Sequence, residues 1–157
     1  MKSRLDALLI VAVALTLSAQ TTIAEDAKDA AIKNDRQQIH GTWRVVGLEI
    51  QGKAAKEEDA RQLLVLNGSD GTWTLFSEGK EISKGTSSID PTTTPKTIDF
   101  TPTDGAGSGK QFLGIYMLGE KTRKLCFAPK ERGRPADFSS SAGSDIVLVT
   151  FKRERSE

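Results

Sequence analysis

The chain has 157 residues, and its 22 Lys and Arg residues almost balance its 21 Asp and Glu residues. This balance provides no general electrostatic attraction to nucleic acids or anionic membranes, so we expect no nucleic-acid partner. The single cysteine excludes an intramolecular disulfide, and the single histidine excludes a metal site built from several histidines of one chain.

The first 24 residues have the organisation of a secretory signal peptide. Lys2 and Arg4 form a positive region, residues 7–19 form an apolar core, and residues 22–24 precede a cleavage site after Ala24. The core of about 13 residues is shorter than the roughly 20 that a membrane-spanning helix needs. We therefore predict a periplasmic or secreted protein with no stable membrane insertion after cleavage. A retained anchor is the alternative.

Residues 25–40 form a polar, alanine-rich leader with neither Gly nor Pro. Ile32 and Ile39 are two helical turns apart, so both lie on one side if this segment is helical. We predict a short N-terminal helix here, with a partly disordered leader as the alternative.

From Gly41 onward, short apolar runs are separated by Gly, Pro or charged residues, which is typical of antiparallel strands joined by turns. The predicted strands comprise residues 41–50, 62–66, 72–76, 80–89, 96–101, 111–118, 122–128 and 145–153. Residues 54–61 are predicted as one or two helical turns, and 102–110 and 130–144 as loops. In the first strand, Trp43, Val45 and Gly47 are predicted on one face and Leu48 on the other. The polar strand 80–89 is predicted at an edge or in strong contact with solvent.

No helix between these strands is long enough for a parallel crossover, so residues 41–157 are predicted as one all-β, antiparallel barrel or sandwich domain. The interior of an eight-stranded barrel is either filled by side chains or holds one small ligand. Both possibilities stay open at this point, with Gly47 and Gly114 as positions that leave room. The large candidates for the interior are Trp43, Trp73, Phe112, Tyr116, Phe127 and Phe151.

The Gly41-x-Trp43 pattern resembles the Gly-x-Trp signature that opens lipocalin-like (calycin) barrels. In those barrels the Trp closes one end and an Arg after the last strand packs over its ring, a position that Arg153 occupies here. Further motifs are similar to a family of small exported domains of unknown function that is abundant in planctomycete bacteria. They are Gly52-Lys53, Asp90-Pro91, the run from Pro95 to Asp99, Gly114-Ile115-Tyr116, Leu125-Cys126, Arg134-Pro135-x-x-Phe138 and Lys152-Arg153-Glu154.

The resemblance covers nearly all of residues 25–157 and implies a single lipocalin-like barrel of eight antiparallel strands. It implies no activity, no catalytic residue and no cofactor. Its structural signature consists of Gly41, Trp43, Arg153, Asp90, Asp99 and Arg134.

Candidate chemistry is sparse in this sequence. The acids Asp90, Asp99, Asp104 and Asp137 match no calcium-loop spacing, so no metal site is predicted. We expect Asp90 and Asp99 instead to accept turn hydrogen bonds or to pair with Arg134. The basic residues of 121–134, including Arg123, are interpreted as a solvated segment, with an anionic polysaccharide or an acidic protein as alternative contacts. Cys126 is interpreted as a small buried hydrophobic residue.

Two functions from different classes follow. In the first, a monomeric exported barrel holds a small, partly apolar ligand, with Trp73, Tyr116, Phe112 and Phe127 as candidate ligand-binding residues. In the second, a packed barrel binds a protein or polysaccharide of the cell envelope through its loops, above all 130–144. An enzyme is not predicted, because no nucleophile–base pair or metal cluster can be assembled from these residues.

Overall fold

The computed structural model describes the backbone of residues 2–155 and the side chains of residues 20–155, so the side chains of the predicted signal-peptide core, 7–19, lie outside the described part. The helices are α1 (Lys2–Ile39) and α2 (Glu57–Ala60). The strands are β1 (Gly41–Ile50), β2 (Lys53–Ala54), β3 (Leu63–Asn67), β4 (Thr72–Ser77), β5 (Lys80–Asp90), β6 (Lys96–Gly105), β7 (Phe112–Leu118), β8 (Thr122–Pro129) and β9 (Val147–Arg153).

Eight antiparallel strands close into a barrel, as predicted. β1 and β3 to β9 pair in sequence order, and β9 closes the ring on β1 in a register that runs from Trp43–Arg153 to Ile50–Val147. The short β2 pairs only with the end of β1. Closure leaves neither β1 nor β9 as an exposed edge, which removes the usual template for edge-to-edge association.

A β-bulge in β1 corrects the predicted assignment of its faces. Val45 pairs with Phe151 but Gly47 already pairs with Thr150, so Val46 is an extra residue. The inward face therefore continues from Trp43 and Val45 to Leu48, and Gly47 lies beside the outward Thr150 rather than leaving room inside. An extra residue reverses the alternation that a regular strand would keep.

β5 is not an edge strand, because β4 and β6 pair with it on its two sides, but its outward side chains are exposed, as the alternative prediction of strong contact with solvent requires. Its polar composition has a second cause. The inward positions Ser83 and Ser87 are small and line the cavity described below, so they leave part of the barrel interior unfilled. At Gly85 even a Cβ atom would lie 2.2 Å from the Thr101 carbonyl oxygen and 2.7 Å from the Trp73 ring, so glycine is required there.

β6 is longer than predicted and takes in the first part of the predicted loop 102–110. Its ladder passes Pro102 because Lys84 pairs with Asp104 while Gly85 pairs with Pro102, which makes Thr103 a bulge. Proline has no N–H to donate, and a bulge is one of the few places where a strand accepts it.

α1 is longer than the short helix predicted at residues 25–39, and its last turns cover one end of the barrel, called here the α1 end. Ile32 and Ile39 pack there against Ile89 and Tyr116. The last carbonyl groups of α1 are satisfied by the barrel, since Trp43 Nε1 donates to Ile39 O over 2.7 Å and Arg153 donates to Gln38 O and His40 O. The uninterrupted helix is consistent with a segment that contains neither Gly nor Pro.

Two segments pack outside the ladder of strands. α2 fills the space beside the second half of β1, which β3 does not reach, and its Ala60 is 1% exposed. The loop after β8 covers the outer face of β7 and β8, where Cys126 is fully buried and its Sγ lies 3.5 Å from Ser139 O. The interpretation of Cys126 as a buried hydrophobic residue is thus confirmed, and burial raises the pKa of its thiol.

Asp90 links α1 to the turn after β5. Its carboxylate lies 2.7 Å from Lys28 Nζ and accepts hydrogen bonds from the side chain and backbone N–H of Thr92, and these contacts, Lys28 first, lower its pKa to about 2. Since this pKa is depressed on folding, the contribution of Asp90 to stability is present above its unfolded pKa of about 4 and is lost as the pH falls through about 2.

We therefore expect Asp90→Asn to flatten the loss of stability between pH 4 and pH 2. Urea unfolding at both pH values measures this, with Asp29→Asn, an exposed acid of α1, as the matched control. An equally steep acid loss in Asp90→Asn would contradict the assignment.

A candidate ligand cavity inside the barrel

The barrel interior is hollow and contains a cavity of about 290 Å³. This volume is near the lower end of the roughly 300–1,000 Å³ range of small-molecule pockets. The lining is apolar except for Arg36, Asn67, Ser83, Ser87 and Arg123. The hollow exists because β5 supplies small inward residues where the other strands supply large ones.

An aromatic cluster forms one wall of the cavity. Phe100 stacks on Phe112 with ring centroids 5.1 Å apart, and it meets Phe127 and Trp73 edge to face at 4.9 and 6.0 Å. Such pairs hold each other in fixed orientations. Of the predicted ligand-binding residues, Trp73, Phe112 and Phe127 line the cavity, and Phe100 joins them although it was not predicted.

By strand register, the end of the cavity opposite α1 lies at the starts of β7 and β9 and the end of β8, and we interpret this end as its mouth. Its rim consists of half-buried side chains, in contrast to the buried Val45, Arg123 and Phe151 near the α1 end. The rim residues are Leu48, Leu63, Phe112, Phe127 and Val147. An apolar rim of this kind admits an apolar molecule from solvent more readily than an ion.

The floor of the cavity, at the α1 end, carries a buried cation. Arg123 is 6% exposed, and its guanidinium lies 4.4 Å from the Phe151 ring centroid and 5.4 Å from that of Trp43. Burial, followed by the positive charge of Arg153, lowers the pKa of Arg123 to about 10, so the group is still charged at neutral pH. Its hydrogen bond to Asn67 Oδ1 is long, at 3.5 Å.

The interpretation of Arg123 as part of a solvated basic segment is therefore wrong. Arg123 is in phase with Leu125 and Phe127 on β8, and all three point into the barrel. The alternation of inward and outward residues along β8 predicts that Arg123 points inward, whereas the charge of the surrounding residues favoured the surface.

Tyr116 is buried but does not line the cavity, so its predicted place in the ligand-binding wall is wrong. Its hydroxyl donates to Asp35 Oδ2 over 2.7 Å beneath α1, and Lys96 Nζ lies 2.7 Å from the same oxygen. Burial, and then the hydrogen bond to Asp35, raise the pKa of the Tyr116 phenol above its ordinary value. Tyr116 thus serves to attach α1 to the barrel.

Of the predicted signature residues, Gly41, Trp43 and Arg153 come together at the α1 end, where Asp90 also lies. Asp99 and Arg134 pair elsewhere, on the outer wall of β6 and β7. The Arg153 guanidinium lies 4.3 Å from the Trp43 ring centroid, which is the contact expected from the sequence. Gly41 has a φ of 109°, and a Cβ there would lie 3.3 Å from Arg153 Nη1, so glycine suits this position on both counts.

The loop arginines are engaged within the chain. Arg134 pairs with Asp99 at 2.7 Å and donates to the Gly114 carbonyl oxygen over the same distance. Arg132 pairs with Asp145, also at 2.7 Å. Arg134 therefore attaches the loop after β8 to the barrel wall, and Arg132 attaches the start of this loop to its end at Asp145.

Comparisons with protein-family models, with curated proteins and with solved structures returned no match. Among residues 20–155, whose side chains the structure describes, no helix is apolar over a length that would cross a bilayer, and the same residues contain no group of three or more His, Cys, Asp or Glu placed to hold a metal ion.

Proposed function

We propose that the protein is an exported, non-enzymatic binding domain that holds one small, largely apolar molecule inside its barrel. The observation that carries the proposal is the cavity of about 290 Å³ with its apolar lining and apolar rim. Dry apolar cavities bind apolar molecules because the lining lacks partner atoms until a ligand supplies them. The contact of Arg153 with Trp43 supports a place among lipocalin-like barrels.

The contacts of α1 support export with removal of residues 1–24. Lys28, Asp35 and Arg36, which follow Ala24, bind the barrel through ion pairs and hydrogen bonds. Cleavage there would leave the covering turns of the helix in place. The alternative function, binding of an envelope macromolecule through the loop after β8, has less support because Arg132 and Arg134 are already paired.

Native mass spectrometry of protein purified from its own host tests the proposal. We expect a small molecule to be retained in the gas phase at one per chain. A chain that carries no small molecule and does not bind 1-decanol in solution would contradict it.

We expect Leu75→Trp to weaken binding by filling part of the cavity. Leu75 lines the cavity and is half-buried, so an indole there extends into the free volume. Titration calorimetry with 1-decanol is expected to show an affinity at least about tenfold lower than that of the unsubstituted protein, since the ligand would have to displace a packed side chain. The matched control is Met117→Trp, which adds the same ring at a position that is 50% exposed on the outer face. Equal losses in both variants would contradict binding inside the barrel.

A further inference from the structure

We propose that the ligand carries a carboxylate head group that pairs with Arg123 on the cavity floor, while its apolar tail points to the mouth. This inference rests on the proposed function and specifies the class of ligand: a small amphipathic acid rather than a neutral hydrocarbon.

The first support is that Arg123 is buried and charged but has no counterion. Buried charges in proteins are ordinarily paired, because taking an ion out of water is costly. Among the described residues, no carboxylate forms an ion pair with Arg123, and its Nε has no hydrogen-bond partner. The other charged side chain close enough to influence it is Arg153, which repels it. The rings of Phe151 and Trp43 contact its face and leave this edge of the guanidinium unused.

The second support is a free donor beside it. Asn67 is 8% exposed, lines the same cavity, and its Nδ2 is also buried without a partner. Asn67 Oδ1 faces Arg123, so the two side chains are neighbours. Arg123 Nε and Asn67 Nδ2 are thus two buried N–H groups on the cavity floor that lack acceptors, which the two oxygens of a carboxylate would supply.

Other charged groups at the α1 end add to this preference or are already occupied. Arg36 also lines the cavity, held by hydrogen bonds to Ser87 Oγ and Ser87 O, and adds positive charge. The buried carboxylate nearby, Asp35, is taken up by Lys96 and Tyr116. The floor is therefore positive, and an alkylammonium ligand would be repelled there.

The cavity volume limits the length of the tail. Since an apolar cavity of about 150 Å³ holds one benzene molecule, a cavity of about 290 Å³ has room for about a dozen non-hydrogen atoms. Decanoate, with ten carbons and two oxygens, matches this size and serves as the probe.

The test is calorimetric titration of the whole protein, freed of bound lipid, with decanoate, 1-decanol and decylammonium at neutral pH. We expect decanoate to bind roughly 10- to 100-fold more tightly than decanol, the range that a charge-assisted hydrogen bond gives, and decylammonium to bind least. Arg123→Met is expected to remove the preference for decanoate while decanol still binds. Arg132→Met, the same change at an exposed arginine, is expected to leave the preference intact.

The ligand series on the unsubstituted protein decides the matter even where Arg123→Met fails to fold. Decanol binding as tightly as decanoate would overturn the head-group inference and leave the proposed function standing. A preference for decanoate that persists in folded Arg123→Met would overturn the role of Arg123. No binding of any of the three probes would overturn the proposed function and this inference together.

Discussion

Replacement of Trp43 by alanine is expected to destabilise the barrel by about 3–5 kcal/mol, the usual cost of removing a fully buried tryptophan. Trp43 is 0% exposed and belongs to the central apolar cluster of the barrel. Its ring lies against two guanidinium groups, those of Arg153 and Arg123, and its Nε1 donates to Ile39 O. One substitution therefore removes apolar packing, two cation–π contacts and a bond to the end of α1.

Urea unfolding followed by circular dichroism measures this effect. Trp43→Phe separates the contribution of the ring from that of the hydrogen bond, because phenylalanine keeps a ring but leaves Ile39 O without its donor. For this variant we expect a loss of about 1–3 kcal/mol in the free energy of unfolding. Met117→Ala, at a half-exposed position on the outer face, is the control and is expected to change stability by no more than about 0.5 kcal/mol. A loss below 1 kcal/mol in Trp43→Ala would show that the α1 end does not depend on this ring.

The antiparallel strands could be predicted because their main signal is local, whereas the choice of a closed barrel over a sandwich depended on the lipocalin-like resemblance. Alternation of apolar and polar residues in β4, and short apolar runs bounded by Gly, Pro or charged residues in β7 and β8, are properties of a few neighbouring residues. Trp43 and Arg153 could also be paired in advance, because a sequence signature names both. The features that the prediction missed are set by the partner strand instead: the bulges at Val46 and Thr103 exist only in relation to β9 and β5.

The sequence did not decide between a filled and a hollow barrel, for a related reason. Whether a barrel is filled depends on the sum of all inward side chains, and the small residues of β5 were read as a sign of solvent rather than of free volume. Arg123 was likewise misassigned, because a charged residue that is in fact buried was interpreted as solvent-exposed. Its position in phase with Leu125 and Phe127 indicated the interior, but charged residues on both sides of it favoured the surface. Buried charge is rare enough that pattern alone seldom predicts it.

These two misjudged features meet in one site. The small residues Ser83 and Ser87 leave free volume and Arg123 supplies a cation, which together give an apolar chamber with a positive floor. Natural proteins depart from locally consistent patterning chiefly where function requires it. The departures in β5 and β8 are therefore the residues on which we base the choice of ligand.

Replacement of Asp35 by alanine is expected to lower the free energy of unfolding by about 2–4 kcal/mol and to release the end of α1 from the barrel. Asp35 is 2% exposed, and its Oδ2 lies 2.7 Å from both Tyr116 Oη and Lys96 Nζ. Without it the buried Tyr116 hydroxyl has no acceptor. Lys96 is partly exposed and can recover hydration, so the loss stays below that of a fully buried ion pair.

Urea unfolding measures the loss, and hydrogen exchange of the amides in residues 28–39 reports the release of the helix. Asp29→Ala, an exposed acid on the same helix, is the matched control and should change neither quantity by much. Adding Tyr116→Phe to Asp35→Ala should recover part of the lost stability, because it removes the hydroxyl left unpaired. Unchanged protection of 28–39 in Asp35→Ala would mean that Ile32 and Ile39 hold the helix by apolar packing alone, and the barrel would then stay covered at its α1 end without this buried carboxylate.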